Sequence, residues 1–178
     1  MTVMDVGRLS TLVRDVPGFP VPEVTFKDIT PLLADPDALR LATDLLAAPF
    51  EDASVTTVAG IEARGFVLAP AVALVLGCGF VPLRKPGKLP YHTRKEEYQL
   101  EYGLDALEVH VDGVGPDDRV LLVDDVIATG GTARAATNLI RGLDAELVGM
   151  GVLIELAFLG GRETLDGVDL HSILTYDS

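Results

Sequence analysis

Apolar positions recur along this chain in two spacings, helical and strand-like, and their alternation predicts an α/β fold. Asp5 to Val16 carries Val6, Leu9, Leu12, Val13 and Val16 at helical intervals. The proline-rich stretch PGFPVPEV that follows is incompatible with regular structure, and Phe26 and Lys27 then fall in a loop or short strand. Asp35-Pro36 supplies an N-cap and a first-turn proline for a helix running to about Ala48, with Leu39, Ala42, Leu45 and Leu46 inward. Ser54 to Ala59 reads as a strand entering a GIEARGF turn. The next 19 residues, Gly65 to Leu83, carry no charge, but Pro70, Gly77, Gly79 and Pro82 divide them into a buried helix and a short strand rather than a membrane span. Tyr98 to Tyr102 and Leu107 to Val111 alternate as a hairpin arm. Val120 to Val123 is a fully apolar strand followed by an Ala-rich helix ending near Gly142. Leu147 to Leu156 and Leu170 to Thr175 add two more strands, with a loop and short helix at FLGGRETL between them. The expected architecture is a central, mostly parallel sheet flanked by helices, and residues 1–178 read as a single domain without repeats.

The stretch that gives this frame a chemistry is RVLLVDDVIATGGT, Arg119 to Thr132. An apolar strand ends in Asp124 and Asp125, and Ala128, Thr129, Gly130, Gly131 and Thr132 form a small-residue turn into a helix. Successive backbone N–H groups in such a turn form an anion site, to which the positive end of the helix adds. The pattern G-x-x-x-x-G-K-[ST] is absent, so a nucleoside triphosphate cradle is not expected. Paired acids beside a phosphate cradle suit a sugar phosphate, whose anion sits in the turn while vicinal hydroxyls donate to the carboxylates.

Charge sharpens this picture. The chain has 27 acids against 14 bases, a net charge of −13, which argues against a general nucleic-acid or anionic-membrane binder. Yet between Ala63 and Lys95 there are six cations and no acid. Arg64 and Arg84 each follow an apolar strand and project to the same sheet edge as Asp124, so a polyanion pocket facing the phosphate turn is the functional reading of the segregation. RKPGKLPYHTRKEE lacks a core pattern and reads as a long mobile loop that closes over a site. The lone Cys78 allows no internal disulfide and accords with a reducing, cytoplasmic location. His92, His110 and His171 have no metal-ligand spacing, and Met1 to Ser10 lacks the pattern of a signal peptide.

VLLVDDVIATGGT resembles the phosphoribosyl pyrophosphate (PRPP) signature of the type I phosphoribosyltransferase family. Four further segments, DVPGFPVPEVTFKDITPLL, GIEARGF, RKPGKLPYHT with YQLEYG, and IELAFLGGRE, are similar to the branch of that family acting on adenine. The resemblance implies a small hood and a flexible closing loop on the central sheet, and transfer of 5-phosphoribosyl from PRPP to adenine, giving AMP and pyrophosphate. By it, Asp124 and Asp125 hold the ribose hydroxyls, and Ala128 to Thr132 cradle the 5′-phosphate. Arg64, Arg84 and Lys88 grip the pyrophosphate with Mg²⁺, which is carried mainly by PRPP and linked to the protein at most through water on Asp124. Phe26 stacks on adenine with Lys27 and Leu159 near its edge. Glu101, supported by Tyr102 in the closing loop, exchanges a proton with the base. A cis peptide near Glu62-Ala63 and a homodimer are also implied. Lys27, where such proteins usually have Arg, and Thr25, often aliphatic in them, put base preference in question. The alternatives are a 6-oxopurine phosphoribosyltransferase and a non-catalytic PRPP sensor; a sensor usually adds a DNA-binding module, for which 178 residues leave no room.

Overall fold

The computed structural model describes residues 3–99 and 104–178. In chain order the elements are α1 (Val3–Thr11), β1 (Arg14–Pro17), β2 (Thr25–Asp28), α2 (Thr30–Ala34), α3 (Pro36–Ala47), β3 (Thr57–Ile61), α4 (Gly65–Leu76), β4 (Gly79–Leu83), β5 (Thr93–Gln99), β6 (Leu104–His110), β7 (Arg119–Ile127), α5 (Gly131–Arg141), β8 (Glu146–Leu156) and β9 (Leu170–Tyr176). Short 3₁₀ segments cover Ala48–Ala53, Ala157–Leu159 and Gly161–Thr164. Strands β4-β3-β7-β8-β9 form a five-stranded parallel sheet in that order. Two antiparallel hairpins, β1–β2 and β5–β6, form ladders of their own, and a bridge from Glu108 of β6 to Arg84, just past β4, joins the second to the sheet edge.

The central strand β7 shows why this sheet is covered on both sides. Val120 and Leu122 enter one core with Leu139 and Ile140 of α5, whereas Leu121 and Val123 enter another with Leu46 of α3 and Leu68 and Val72 of α4. Alternate side chains of a strand point to opposite faces, so an unbroken apolar run requires two cores. The crossovers β3–α4–β4 and β7–α5–β8 leave adjacent strands in opposite lateral directions. Right-handed connections then put α4 and α5 on opposite faces and open a crevice between the carboxyl ends of β3 and β7. GIEARGF and DDVIATGG lie at that crevice.

Local signals explain the boundaries. Asp35 caps α3, accepting from Asp37 N at 3.0 Å and Ala38 N at 2.9 Å, and Gly77 closes α4 in a left-handed conformation. Glu62–Ala63 is cis, as expected. Two expectations are corrected. The first helix stops at Thr11, and Arg14–Pro17 instead pairs with Thr25–Asp28; Arg14 holds Asp28 at 2.7 Å across this hairpin. The arm begins at Thr93, not Tyr98. Polar TRKEE is a strand because the ladder to β6 and its packing on α5 override the missing apolar pattern. Asn138 Nδ2 donates to Glu96 Oε1 at 2.8 Å, and the Arg94 guanidinium lies against Gly142 at the end of α5.

Gly60 in β3 lets α4 approach closely: a Cβ there would stand 2.7 Å from Ala69 Cβ and 2.9 Å from Phe80 Cε2. Gly60→Ala should therefore destabilise the fold by about 1–3 kcal/mol through overpacking. Urea unfolding of the two proteins, compared at equal slope, measures this.

Candidate active site

The crevice is a cavity of about 480 Å³ lined by Glu62, Ala63, Arg64, Lys85 and the continuous segment Asp124–Ala133. Its floor is the end of β7. Asp125 is buried and Asp124 half-buried, the former donating its backbone N–H to Asp124 Oδ1 at 2.9 Å. Gly65 permits the approach of the α4 terminus, since a Cβ on it would come 3.0 Å from Asp124 Oδ1. Burial raises the Asp124 carboxyl well above the usual carboxylate range, and repulsion from Asp125 adds to this. Burial also raises Asp125, against the opposing charge of Arg64.

Beside the acids, Gly130 turns the chain at φ 82° and α5 begins without a side-chain cap. Its first N–H groups therefore have no side chain of their own helix end to satisfy them, the arrangement that receives an anionic ligand. Acceptors for hydroxyls and donors for a phosphate thus share one cavity wall.

Arg64 links this wall to the β1–β2 hairpin. Its Nε lies 2.6 Å from Asp125 Oδ2, an atom with no aligned hydrogen bond among the described residues. Its guanidinium carbon lies 4.7 Å from the centre of the Phe26 ring, which Phe19 meets edge-on at 5.3 Å. Arg84 is reached through Glu62, whose Oε2 accepts from Arg84 Nε at 3.2 Å and from Lys85 N at 2.9 Å. Arg84 Nη1 also donates to the backbone oxygen of Lys88 at 3.2 Å, while Lys88 itself is exposed.

Of the expected site residues, the cavity gathers Arg64, Asp124, Asp125, Ala128, Thr129, Gly130, Gly131 and Thr132. Phe26 joins through Arg64, and Arg84 through Glu62. Leu159 is exposed on the turn after β8 and does not line the cavity. Lys27 is engaged elsewhere: its Nζ pairs with Asp15 Oδ1 at 2.7 Å and lies 4.1 Å over the Tyr176 ring. Glu101 and Tyr102 lie outside the described residues.

The family model for the phosphoribosyl transferase domain matches residues 28–166. A Thermobifida fusca adenine phosphoribosyltransferase is 57% identical over 163 residues, 92% of this chain and 93% of that one. The crystal structure of adenine phosphoribosyltransferase from Rhodothermus marinus superposes with TM-score 0.95 at 49% identity, covering 98% of this chain and 100% of the other. The Saccharomyces cerevisiae adenine phosphoribosyltransferase, solved with an imino-altritol bisphosphate and adenine, gives 0.93 at 35% identity, covering 97% and 100%. The chain belongs to the adenine phosphoribosyltransferase family.

Two residues of this phosphoribosyltransferase site carried no role in the sequence reading. Lys85 reaches the cavity wall, but its Nζ is held by Asp105 and by Tyr98 Oη at 2.9 Å, which ties the β4 end to the arm. Glu62 aligns Arg84. Both lie inside quoted motifs, yet their partners are more than ten residues away, and single-sequence spacing does not reveal such pairings.

No helix among the described residues is long and apolar enough to cross a membrane.

The acid pair makes the site unstable on its own. A carboxyl raised on folding favours the protonated form, so its stabilising contribution is complete below the unfolded value and is lost as pH rises through the folded one. Asp124→Asn, which keeps the acceptor for Asp125 N, should raise stability at pH 7.5 by about 1 kcal/mol. The gain should shrink toward zero near pH 4, where the unfolded Asp also protonates. Melting curves of both proteins across this range check the sign.

Proposed function

We propose that this chain transfers the 5-phosphoribosyl group of PRPP to adenine, releasing pyrophosphate and forming AMP. The observation that carries the reading is the pairing, on one wall, of the Asp124–Asp125 acceptors with the uncapped N-terminus of α5. A ribose phosphate presents its diol and its phosphate in the same order.

In this reading the bond from ribose C1′ to the pyrophosphate oxygen breaks and a bond to adenine N9 forms. The anomeric carbon gains oxocarbenium character, so catalysis is mostly positioning and charge stabilisation. Asp124 and Asp125 accept from the 2′- and 3′-hydroxyls, and residues 128–132 hold the 5′-phosphate. Arg64 moves from Asp125 to the pyrophosphate, joined by Arg84 and Lys88. Phe26, freed from the Arg64 guanidinium, stacks on the base, with Lys27 and Leu159 near its edge. Glu101 takes up the proton that leaves the base ring, in a loop supported by Tyr102. The oxygen-only donor set of Asp124 and Asp125 fits Mg²⁺ better than a softer metal, and Asp124 is the residue that would meet it, through water. When bound, the ion neutralises charge on the pyrophosphate leaving group.

Adenine, rather than a 6-oxopurine, is supported by the family and by the adenine held in the yeast relative. The Ala157–Gly160 turn also supplies no lysine for an exocyclic oxygen. A homodimer in the cytoplasm is part of the same proposal. The wholly uncharged α4, with Val67, Leu74 and Val75 exposed, is compatible with a partner subunit.

Pyrophosphate release from PRPP and Mg²⁺, with adenine, hypoxanthine, guanine and xanthine offered separately, tests the reading. Turnover with adenine alone is expected, and chelation of Mg²⁺ should abolish it. Glu101→Gln should lower kcat by about 10²–10⁴-fold. Phe26→Ala should raise the adenine KM by about tenfold, the worth of one stacked base, while leaving the PRPP KM nearly unchanged. Turnover with a 6-oxopurine would overturn the base assignment, and PRPP binding without turnover on any base would overturn the enzyme reading in favour of a sensor.

A further inference from the structure

The turn Gly160–Thr164, after β8, touches the loop 128–130 backbone to backbone. A Cβ on Gly130 would stand 2.6 Å from the Gly161 oxygen and would also overlap Thr164 Oγ1, and a Cβ on Gly161 would overlap the Ala128 oxygen. The height of the loop is therefore set by the turn beneath it. The turn has little stiffness of its own. Gly160 sits at φ 67°, and its flanks are 3₁₀ pieces of three and four residues.

What holds it is a clasp centred on Arg162. Nε donates to Glu155 Oε1 at 2.8 Å and Nη2 to Glu155 Oε2 at 2.5 Å. Nη1 donates to the Leu170 oxygen at 2.7 Å, and Ser172 Oγ donates to Glu155 Oε2 at 2.6 Å. Glu155 is 5% exposed, near the end of β8 and paired with Thr175 of β9. A two-pronged Arg–carboxylate pair fixes orientation as well as distance, which a lysine does not. The clasp thus fastens the turn to the two strands at one side of the sheet. Within the turn, Thr164 Oγ1 donates to the Gly161 oxygen at 2.7 Å, the same oxygen that faces Gly130.

We propose that Arg162 is a positioning residue for the 5′-phosphate: through Glu155 it holds the Gly160–Thr164 turn at the height that sets the phosphate-binding loop. The inference rests on the reading above that residues 128–132 take that phosphate. Arg162 does not line the cavity and acts by displacement, where a shift of ~1 Å in a supporting segment is enough to cost about a hundredfold. The pyrophosphate residues Arg84 and Lys88 belong to the segment after β4, on the other side of the crevice, and do not share this support.

The test is calorimetric binding of ribose 5-phosphate and, separately, of magnesium pyrophosphate to the full chain, with steady-state KM values for PRPP. Arg162→Gln should weaken ribose 5-phosphate about tenfold and raise the PRPP KM comparably, with pyrophosphate affinity within about twofold of the unaltered protein. Arg162→Lys should recover part of the loss. Thr164→Ala, which removes only the hydroxyl beside Gly130, should weaken ribose 5-phosphate in the same direction and decides the matter if Arg162→Gln fails to fold. Unchanged ribose 5-phosphate affinity in the folded variants would overturn the proposal, as would an equal loss for both ligands, the mark of a merely structural clasp. If the unaltered chain binds no ribose 5-phosphate, the phosphate-loop reading itself falls before any variant is made, and this inference with it.

Discussion

The constraint on which this structure turns is the placement of two carboxylates toward the carboxyl end of β7, directly after the run Val120–Val123, which is apolar on both faces. Val120 to Val123 are fully buried, so Asp124 and Asp125 stand where the sheet's interior meets the crevice. Water cannot solvate them as it would on a surface, and neighbouring charge must do so instead. Arg64 provides this by leaning across the crevice from the end of β3. The same contact brings its guanidinium onto Phe26, and so joins the acid pair to the β1–β2 hairpin. The acid pair, the end of β3 and the Phe26 ring are connected through one cation.

The sheet supplies the geometry that makes the contact possible. β3 and β7 are neighbours whose crossovers run to opposite faces, so their carboxyl ends are free of covering helices. Glu62 to Arg64 and Asp124 to Thr132 meet there although some sixty residues separate them. Glycines allow this crowding: Gly65 brings α4 down onto Asp124, and Gly130 and Gly161 let two backbones touch.

Much of this was legible in the chain itself. β7, its acid pair and its glycine turn follow from an unbroken apolar run and a change of residue size. Asp35-Pro36 starts α3 where the capping rules put it, and the uncharged Gly65–Leu83 stretch divides at Gly77 as its punctuation implies. What escaped reading was structure stabilised by distant partners. β1 continues the apolar spacing of the preceding helix, with Val13 and Val16 in phase, and only its pairing with β2 makes it a strand. The start of β5 has no apolar signal because its stabilisation is the ladder to β6. The pairing of Lys27 with Asp15 and its position over the Tyr176 ring are likewise contacts that local spacing does not show. The Arg162–Glu155 pair was invisible as a support because its importance lies in what the turn touches.

The helix α5 has a further consequence. Its first turn lines one end of the crevice, and its far end carries Asn138 and Gly142 against Glu96 and Arg94 of the arm. Eleven residues at a rise of ~1.5 Å give a rod of about 16 Å. That rod is a ruler: it sets how far the root of the arm stands from the Gly130–Thr132 turn. Loops elsewhere can lengthen or shorten without altering this gauge, whereas one added helical turn would carry the arm about 5 Å away and rotate its seat out of register. The length of α5, more than the identity of its exposed residues, therefore fixes where the arm is seated.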